Sequence, residues 1–152
     1  MKILARHLTA DLFNCKNNKL TDIELIQENM KAALERIGHQ LVKLDVQQLA
    51  DDHYVIFALL ADGHLSLHIY MDLKYVALDV FLCHEDAEPD MVAQEIRNFF
   101  KPDKTKTTVL KRGNFGVAKE IKPKITTKVA PLRKIHNTGA KVIRALARRN
   151  HQ

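Results

Sequence analysis

Residues 54–83, YVIFALLADGHLSLHIYMDLKYVALDVFLC, decide how the rest of the chain is arranged. Two apolar runs, residues 54–61 and 64–70, flank the dipeptide Asp62-Gly63, and a third run, residues 75–82, follows a short polar break. An Asp-Gly pair between such runs favours a type I′ turn, because glycine accepts a positive φ angle without a steric penalty. The stretch therefore predicts a β-hairpin followed by a third strand.

The second of these runs has a polar or amphipathic side chain at every other position. Side chains two residues apart share one face of a strand, so we expect one face of the sheet to carry His64, Ser66, His68 and Tyr70. Such a face suits a wet cleft or an interface, and a simply solvated face is the alternative.

Two amphipathic helices are predicted outside this stretch. Thr21-Asp22-Ile23-Glu24 forms a capping box, and the apolar stripe that follows it ends at Gly38, a plausible left-handed stop. Pro89 suits the first position of the second helix, because its missing N–H would be unpaired there, and that helix ends near Lys101. Both stripes predict packing against a sheet.

Further strands are predicted at residues 3–13, 39–49 and 107–110. The first of them alternates apolar residues in period two, at Leu4, Leu8, Ala10 and Leu12. With 152 residues, the chain is long enough for one domain with a proper core. The elements together predict an α+β fold.

The charge of the chain is divided between its two parts. Residues 1–100 carry 9 Lys/Arg and 16 Asp/Glu, whereas residues 101–152 carry 15 and 2. The net charge of +6 therefore describes neither the acidic body nor the basic tail.

The tail divides again into two predicted segments. Residues 117–137 contain Pro123 and Pro131 without a clear period, and predict an extended linker. Residues 138–149, TGAKVIRALARR, predict a short basic amphipathic helix that would be marginal alone in water. Its partner would be the acidic body, an acidic protein, a nucleic acid or an anionic membrane surface; a docked or flexible tail is the alternative. Nucleic acid is only weakly indicated, because no recognised motif or run of stacking aromatics accompanies the charge.

Several classes of function lack their usual motifs. The eight histidines are scattered, and no Cys-x-x-Cys, His-Glu-x-x-His or glycine-rich phosphate loop occurs, so no metal or nucleotide site is expected. No apolar run approaches the ~20 residues of a membrane span, and nothing at the start resembles a signal peptide. We expect a cytoplasmic protein whose cysteines, Cys15 and Cys83, remain thiols.

The motifs HLSLH (residues 64–68), DVFLC (residues 79–83) and RHL (residues 6–8), the last followed by Cys15, resemble those of the prokaryotic S-adenosylmethionine decarboxylases. The resemblance covers roughly residues 4–115. It implies a two-layer sandwich of an antiparallel-rich sheet with two helices on one face, formed by residues 1–116 and followed by the basic extension. It also implies a homodimer, since bacterial members of the family commonly form dimers.

The family makes its cofactor at the predicted hairpin. There a Glu-Ser bond is broken when the serine attacks the preceding carbonyl, and the serine becomes a pyruvoyl group. This chain has Asp62-Gly63 at that bond, and Val55 where the family usually carries a serine that assists processing. Since Gly63 has no hydroxyl to form the ester intermediate, we expect an uncleaved chain without pyruvoyl or any other cofactor.

Other family positions are retained, according to the resemblance. His68 matches the histidine that acts in processing, and Cys83 matches the cysteine that donates a proton to the substrate carbon. Asp72 falls where the family has a glutamate that holds the ribose hydroxyls, and His64 and Tyr70 complete the predicted ligand-binding set. Without the family, a lone cysteine at the end of an apolar strand is usually buried and inert.

Three hypotheses follow. In the first, the protein has lost the decarboxylation chemistry, binds S-adenosylmethionine or a related nucleoside, and regulates an active paralogue, with which it would form a hetero-oligomer. In the second, an enzyme of polyamine metabolism still cleaves S-adenosylmethionine, for example through a thiol and imidazole pair of Cys83 and His68. In the third, the functional part is the basic tail, which binds an acidic partner.

Overall fold

The computed structural model describes residues 3–115 and 122–130. The predicted basic helix, residues 138–149, lies outside the described residues, as does most of the predicted linker. The elements in chain order are β1 (Ala5–Phe13), α1 (Asn17–Leu20), α2 (Ile23–Arg36), β2 (Leu41–Ala50), β3 (His53–Leu60), β4 (Gly63–Tyr70), β5 (Tyr75–Leu82), α3 (Pro89–Phe100), β6 (Lys104–Arg112) and β7 (Lys124–Val129).

The seven described strands form one sheet in the order β2-β3-β4-β5-β1-β6-β7. Every neighbouring pair is antiparallel. The first strand thus lies between β5 and β6, and the hairpins of the central stretch form the other half of the sheet. This arrangement confirms the predicted α+β sandwich with two long helices on one face.

The core lies between one face of the sheet and the two helices α2 and α3. Alternating residues of the central strands are buried there, among them Leu8, Leu67 and Leu78, against Met30 of α2 and Phe100 of α3. Leu4, which we predicted in the same row as Leu8, precedes β1 and is 44% exposed. The opposite face of the central strands has no helix on it in the described part of the chain, and we call it the open face.

Both helices form as predicted, with one difference at the first cap. Asp22, rather than Thr21, is the N-cap of α2, and its carboxylate accepts a hydrogen bond of 2.9 Å from the Leu25 amide. Thr21 instead ends the short helix α1, so the next residue takes over a role for which Asp is equally suited. Helix α3 begins at Pro89 and ends at Phe100, and its C-cap, Lys101, adopts the left-handed conformation.

The central hairpin forms, but the predicted type I′ turn at Asp62-Gly63 is wrong. Leu60 pairs with Gly63, so the turn residues are Ala61 and Asp62, and neither they nor Gly63 has a positive φ angle. Neighbouring backbone fixes this turn from both sides. The Ala61 N–H donates to the Gln40 carbonyl over 3.0 Å, and the Cys83 N–H donates to the Asp62 carbonyl over 2.7 Å. These hydrogen bonds, and not the conformational freedom of glycine, therefore determine the geometry of the turn.

Strand β7 corrects the predicted linker. Residues 124–129 lie within the range 117–137 that we expected to be extended but unpaired, yet they pair with Lys104–Val109 of β6. The pairing partner is remote in sequence, and the strand itself is almost wholly exposed, so it lacks the alternation of a half-buried strand. The last predicted strand, residues 107–110, is correspondingly longer, and it is not the edge of the sheet.

Candidate functional site

The turn at Asp62 is held by two histidines from other elements. The Asp62 carboxylate lies 3.3 Å from His39 Nδ1 and 3.2 Å from His84 Nε2. His39 precedes β2 and His84 follows β5, so these contacts join three segments at one end of the sheet. We call this end, with Asp62, Gly63 and Cys83, the Gly63 end.

Gly63 is packed too closely against β5 to carry a side chain. It pairs with Leu82, and a Cβ atom built on it would lie 2.0 Å from the Phe81 carbonyl oxygen and 3.0 Å from the Leu82 Cα. Both atoms belong to backbone, which cannot turn aside as a flexible side chain would. A serine at this position therefore requires β4 and β5 to separate locally.

Cys83 lies beside this turn and is exposed. The expectation that Cys83 is buried is therefore wrong, because β5 ends one residue earlier, at Leu82. The other cysteine is the buried one: Cys15 donates its thiol to the Leu12 carbonyl over 3.6 Å. Burial, and then the nearby negative charge of Asp103, raise the pKa of Cys15 to about 12.

His68 lies near the other end of β4, in a second group of residues. Its Nδ1 is 3.0 Å from His53 Nε2, so one of these nitrogens donates and the other accepts. The His53 ring stacks on Tyr70 with 4.0 Å between ring centroids, and Val55 is the residue that pairs with His68 across β3 and β4. We call this group, together with Asp72 in the turn that follows β4, the His68 end.

The two ends are too far apart within one chain to form a single catalytic pair. Cys83 is opposite Asp62, and His68 is six residues further along the same strand, a separation of about 20 Å. His64 and Tyr70 are likewise six residues apart. The chain thus divides the predicted residues into one group of Asp62, Gly63, His64 and Cys83 and another of Val55, His68, Tyr70 and Asp72.

His64 belongs to a row of rings that crosses four strands of the open face. Its ring stacks on Phe57 of β3 and on Phe81 of β5, with centroid distances of 5.6 and 5.4 Å. The His7 ring of β1 meets Phe81 edge-on at 5.8 Å, and the Arg112 guanidinium lies 5.9 Å from the centroid of Phe81. We call these four rings, Phe57, His64, Phe81 and His7, the aromatic row.

Sequence reasoning did not find this row, although it placed His64 on the correct face. The signal was the alternation in the runs before and after Gly63, which puts Phe57 and Phe81 on one face of their strands. The sequence did not reveal the strand register. The register sets Leu59 and Phe81 opposite His64 and brings the Phe57 ring against the His64 ring.

Acidic side chains accompany the rings on the open face. Asp79 lies 3.4 Å from His7 Nε2. The Tyr75 hydroxyl donates to the Asp11 carboxylate, and burial, followed by this hydrogen bond, raises the pKa of Tyr75. The face can therefore offer flat aromatic surface and negative charge to one ligand.

Residues 3–115 and 122–130 contain no group of three or more His, Cys, Asp or Glu side chains arranged to hold a metal ion. Over the same residues, no helix is long and apolar enough to cross a membrane.

Comparison with known proteins places this sheet and its turn in a family. A family model described as S-adenosylmethionine decarboxylase matches residues 6–113. The S-adenosylmethionine decarboxylase proenzyme of Methanococcus vannielii is 34% identical over 113 residues, which are 74% of this chain and 93% of that protein. The proenzyme of the same name from Thermotoga petrophila is 26% identical over 129 residues, or 83% of this chain and 99% of that protein.

The fold agrees with these matches. A crystal structure of the adenosylmethionine decarboxylase from Aquifex aeolicus aligns with a TM-score of 0.69, over 80% of this chain and 100% of that one, at 21% sequence identity. That identity supports the fold alone, while the family model and the Methanococcus protein carry the assignment. The chain belongs to the S-adenosylmethionine decarboxylase family.

Proposed function

We propose that this protein is a family member that neither cleaves itself nor forms a pyruvoyl group, and that it binds S-adenosylmethionine or a related nucleoside. The observation that carries the proposal is the position of Gly63. It supplies no hydroxyl for an ester intermediate, and the Phe81 carbonyl oxygen occupies the space that a side chain would need. The residues present at the turn therefore do not fit the family's cofactor.

Ser66, the hydroxyl residue nearest to Gly63 in the sequence, is not placed to substitute for the missing hydroxyl. Ser66 lies three residues into β4 and pairs with Phe57 on one side and Asp79 on the other. Its peptide bond is part of two antiparallel ladders, so attack on the preceding carbonyl would have to break strand pairing in the middle of the sheet. Val55, at the position of the assisting serine, has no polar group.

The decarboxylation itself needs an electron sink. Loss of carbon dioxide from an amino acid leaves a carbanion, which a carbonyl such as that of pyruvoyl stabilises. The side chains at the Gly63 end are carboxylate, imidazole and thiol groups, which move protons and do not delocalise a carbanion. Without the carbonyl, the exposed Cys83 thiol has no carbanion to protonate.

Ligand binding does not require that carbonyl. The aromatic row provides a flat surface on which a purine ring stacks, and aromatic faces also attract a sulfonium or ammonium cation. Asp79 and Asp11 lie on the same face and favour a cationic ligand over an anionic one. We propose that the row is where the nucleoside binds.

Two copies are needed if the Gly63 end and the His68 end are to serve one ligand. A two-fold axis that runs parallel to the open face and perpendicular to β4 would place the Gly63 end of one copy over the His68 end of the other, and the reverse contact would form as well, because isologous contacts are reciprocal. Phe57 and Leu59, which are 41% and 40% exposed on this face, supply apolar contact area. We propose a homodimer of this kind, or a hetero-oligomer in which an active paralogue replaces one copy and is regulated by this chain in the cytoplasm.

The proposed function is tested by two measurements on the same protein. With carboxyl-labelled S-adenosylmethionine, release of labelled carbon dioxide should stay at the level of the blank, while the Methanococcus vannielii protein serves as the positive control. Calorimetry should detect binding of S-adenosylmethionine that weakens in Phe81→Leu and not in Phe115→Leu, since Phe115 is 85% exposed and lies outside the row. Release of carbon dioxide would contradict the loss of chemistry, and equal binding by both variants would contradict the placement of the ligand.

Regulation of a paralogue is tested separately, by purifying the tagged protein from its native cell. An active decarboxylase should co-purify with it and change its rate when the two are mixed. Recovery of this chain alone would contradict regulation and leave a ligand-binding homodimer.

A further inference from the structure

A groove of about 730 Å³ lies on the helix side of the sheet, away from the open face. It arises because α3 contacts β1 and β5, whereas β6 and β7 extend beyond the helix. One wall is formed by α3, the other by the two-stranded edge β6–β7, and Arg6 of β1 lies between them. The part of the tail that we had predicted to be a linker thus builds one wall of the groove.

The lining of the groove is strongly basic. Six cationic side chains line it, with Asp90 as the one carboxylate among the described lining residues: Arg6, Arg97, Lys111, Lys122, Lys124 and Lys128. In residues 3–115 and 122–130, none of these six forms a salt bridge with a carboxylate. The Arg6 Nε is buried and has no hydrogen-bond partner there. A buried, unpaired guanidinium nitrogen is costly, and an anion in the groove would compensate it.

The cations are spread along the groove and do not converge on one point. Lys124 and Lys128 are four residues apart on the same face of β7, about 13 Å. Lys111 faces the groove from β6. Thr105, six residues away on the same strand, pairs with Lys128 of β7, so the charged wall extends over about 20 Å from Lys111 to Lys128. This spacing suits a ligand with several successive negative charges better than a single phosphate.

The other lining residues narrow the class of ligand. Threonines contribute hydroxyl groups at Thr105, Thr107 and Thr126, and none of the described lining residues is aromatic. Hydroxyls and cations contact phosphate groups, whereas stacking with bases needs aromatic rings. The chain's own residues 131–152 carry six Lys/Arg and no Asp/Glu, so charge excludes them as the occupant.

We propose that the groove binds the phosphodiester backbone of single-stranded nucleic acid, without preference for base sequence. A single strand is slender enough to enter between α3 and β7 and to bring a phosphate to Arg6, while a duplex would contact only the outer lysines. This inference does not depend on the fate of Gly63 or on the open face.

The test uses the full chain and a fluorescein-labelled oligouridylate of about 20 nucleotides, long enough to exceed the site sizes usual for single-strand grooves. The variant Lys124→Gln/Lys128→Gln removes two groove charges. Its matched control, Lys104→Gln/Lys106→Gln, removes two charges from the same pair of strands on the opposite face, as the alternation of β6 requires. Fluorescence anisotropy is measured over a range of salt concentrations.

The groove variant should lose about ten- to thirtyfold in affinity at ~0.1 M salt, and its slope of log affinity against log salt should fall by about 1.4, the value for two lost contacts to a single strand. The control should keep most of the affinity and most of the salt dependence. Arg97→Gln, on the α3 wall, should reproduce part of the loss without altering the edge strand. Equal loss in the groove variant and the control, or none in either, would overturn the proposal and leave the charge of the tail as the cause of binding.

Competition experiments distinguish a nucleic acid from an acidic peptide and from a small phosphate compound as the ligand of the groove. Unlabelled single-stranded DNA should displace the probe, since it has the same phosphodiester backbone. Displacement at equal charge concentration by polyglutamate, or by ATP or inorganic phosphate, would overturn the proposal in favour of an acidic peptide or of a small phosphate-binding site.

Discussion

Gly63 matters in this protein because it has no side chain, and not because its backbone can adopt a positive φ angle. Its φ angle is one that other residues adopt, yet its Cα faces the Phe81 carbonyl so closely that a Cβ would overlap it. A glycine in place of the serine removes the hydroxyl group. The close pairing of β4 with β5 also leaves no space for a new side chain at this position. We therefore expect Gly63→Ser to remain uncleaved.

The packing around Gly63 predicts the cost of adding even a methyl group. Gly63→Ala should lower the free energy of unfolding by about 1–3 kcal/mol, because overpacking against backbone forces the strands apart. Urea denaturation measures the change. The comparison variant is Gly38→Ala, where φ is +83° and no atom lies within 4 Å of the added Cβ, so that only backbone strain of about 1 kcal/mol is expected. A smaller loss at Gly63 than at Gly38 would contradict the close contact.

The two thiols should differ sharply in reactivity. Because burial raises the pKa of Cys15 to about 12, its thiolate is scarce at ordinary pH, and the folded protein also blocks access to it. A thiol-reactive dye should therefore label one cysteine per native chain, and two after denaturation. Cys83→Ser should abolish the native labelling. Two reactive thiols in the native wild-type protein would contradict the burial of Cys15.

At the scale of elements, most of the sheet could be predicted from the sequence. Apolar runs placed the central strands, Pro89 marked the start of α3, and Gly38, which has a positive φ angle, follows the end of α2. The turn at Asp62 was misplaced because its geometry is set by hydrogen bonds to Gln40 and Cys83, which no local pattern reveals. Strand β7 was missed because its side chains are exposed on both faces, and its stability comes from backbone pairing with β6.

The pairing of β7 predicts slow hydrogen exchange in the tail. Amides of residues 124–129 that donate to β6 should exchange more slowly than their intrinsic rates, although the segment is exposed and rich in lysine and threonine. Thr126→Pro removes one amide and blocks pairing with Thr107, so it should speed exchange in both strands. Exchange of this segment at intrinsic rates in the wild-type protein would restore the interpretation as a linker.

At the scale of the whole molecule, the predicted site residues do not meet within one chain. The sequence, with the family resemblance, predicted His64, His68, Tyr70 and Cys83 as members of one site. It did not predict how far apart these residues lie, which is up to about 20 Å along β4. The strand register also brings the aromatic row together from four strands, since alternation puts each ring on one face of its strand but does not predict which rings meet.

This separation is the reason why we propose assembly through the open face. Sedimentation velocity should give the mass of a dimer for the wild-type protein, and Phe57→Glu should shift it to a monomer, because a carboxylate would be buried without a partner. The control is Leu73→Glu, since Leu73 is 68% exposed in the turn between β4 and β5. A wild-type monomer, or a Phe57→Glu dimer, would contradict the proposed interface.

If self-processing is lost, the bond between Asp62 and Gly63 stays intact, and the mass of the purified protein under denaturing conditions tests this directly. We predict a single species of about 17.4 kDa, the mass of the whole sequence. Two fragments that separate near residue 62 would contradict the account, and would return the protein to the self-processing decarboxylases.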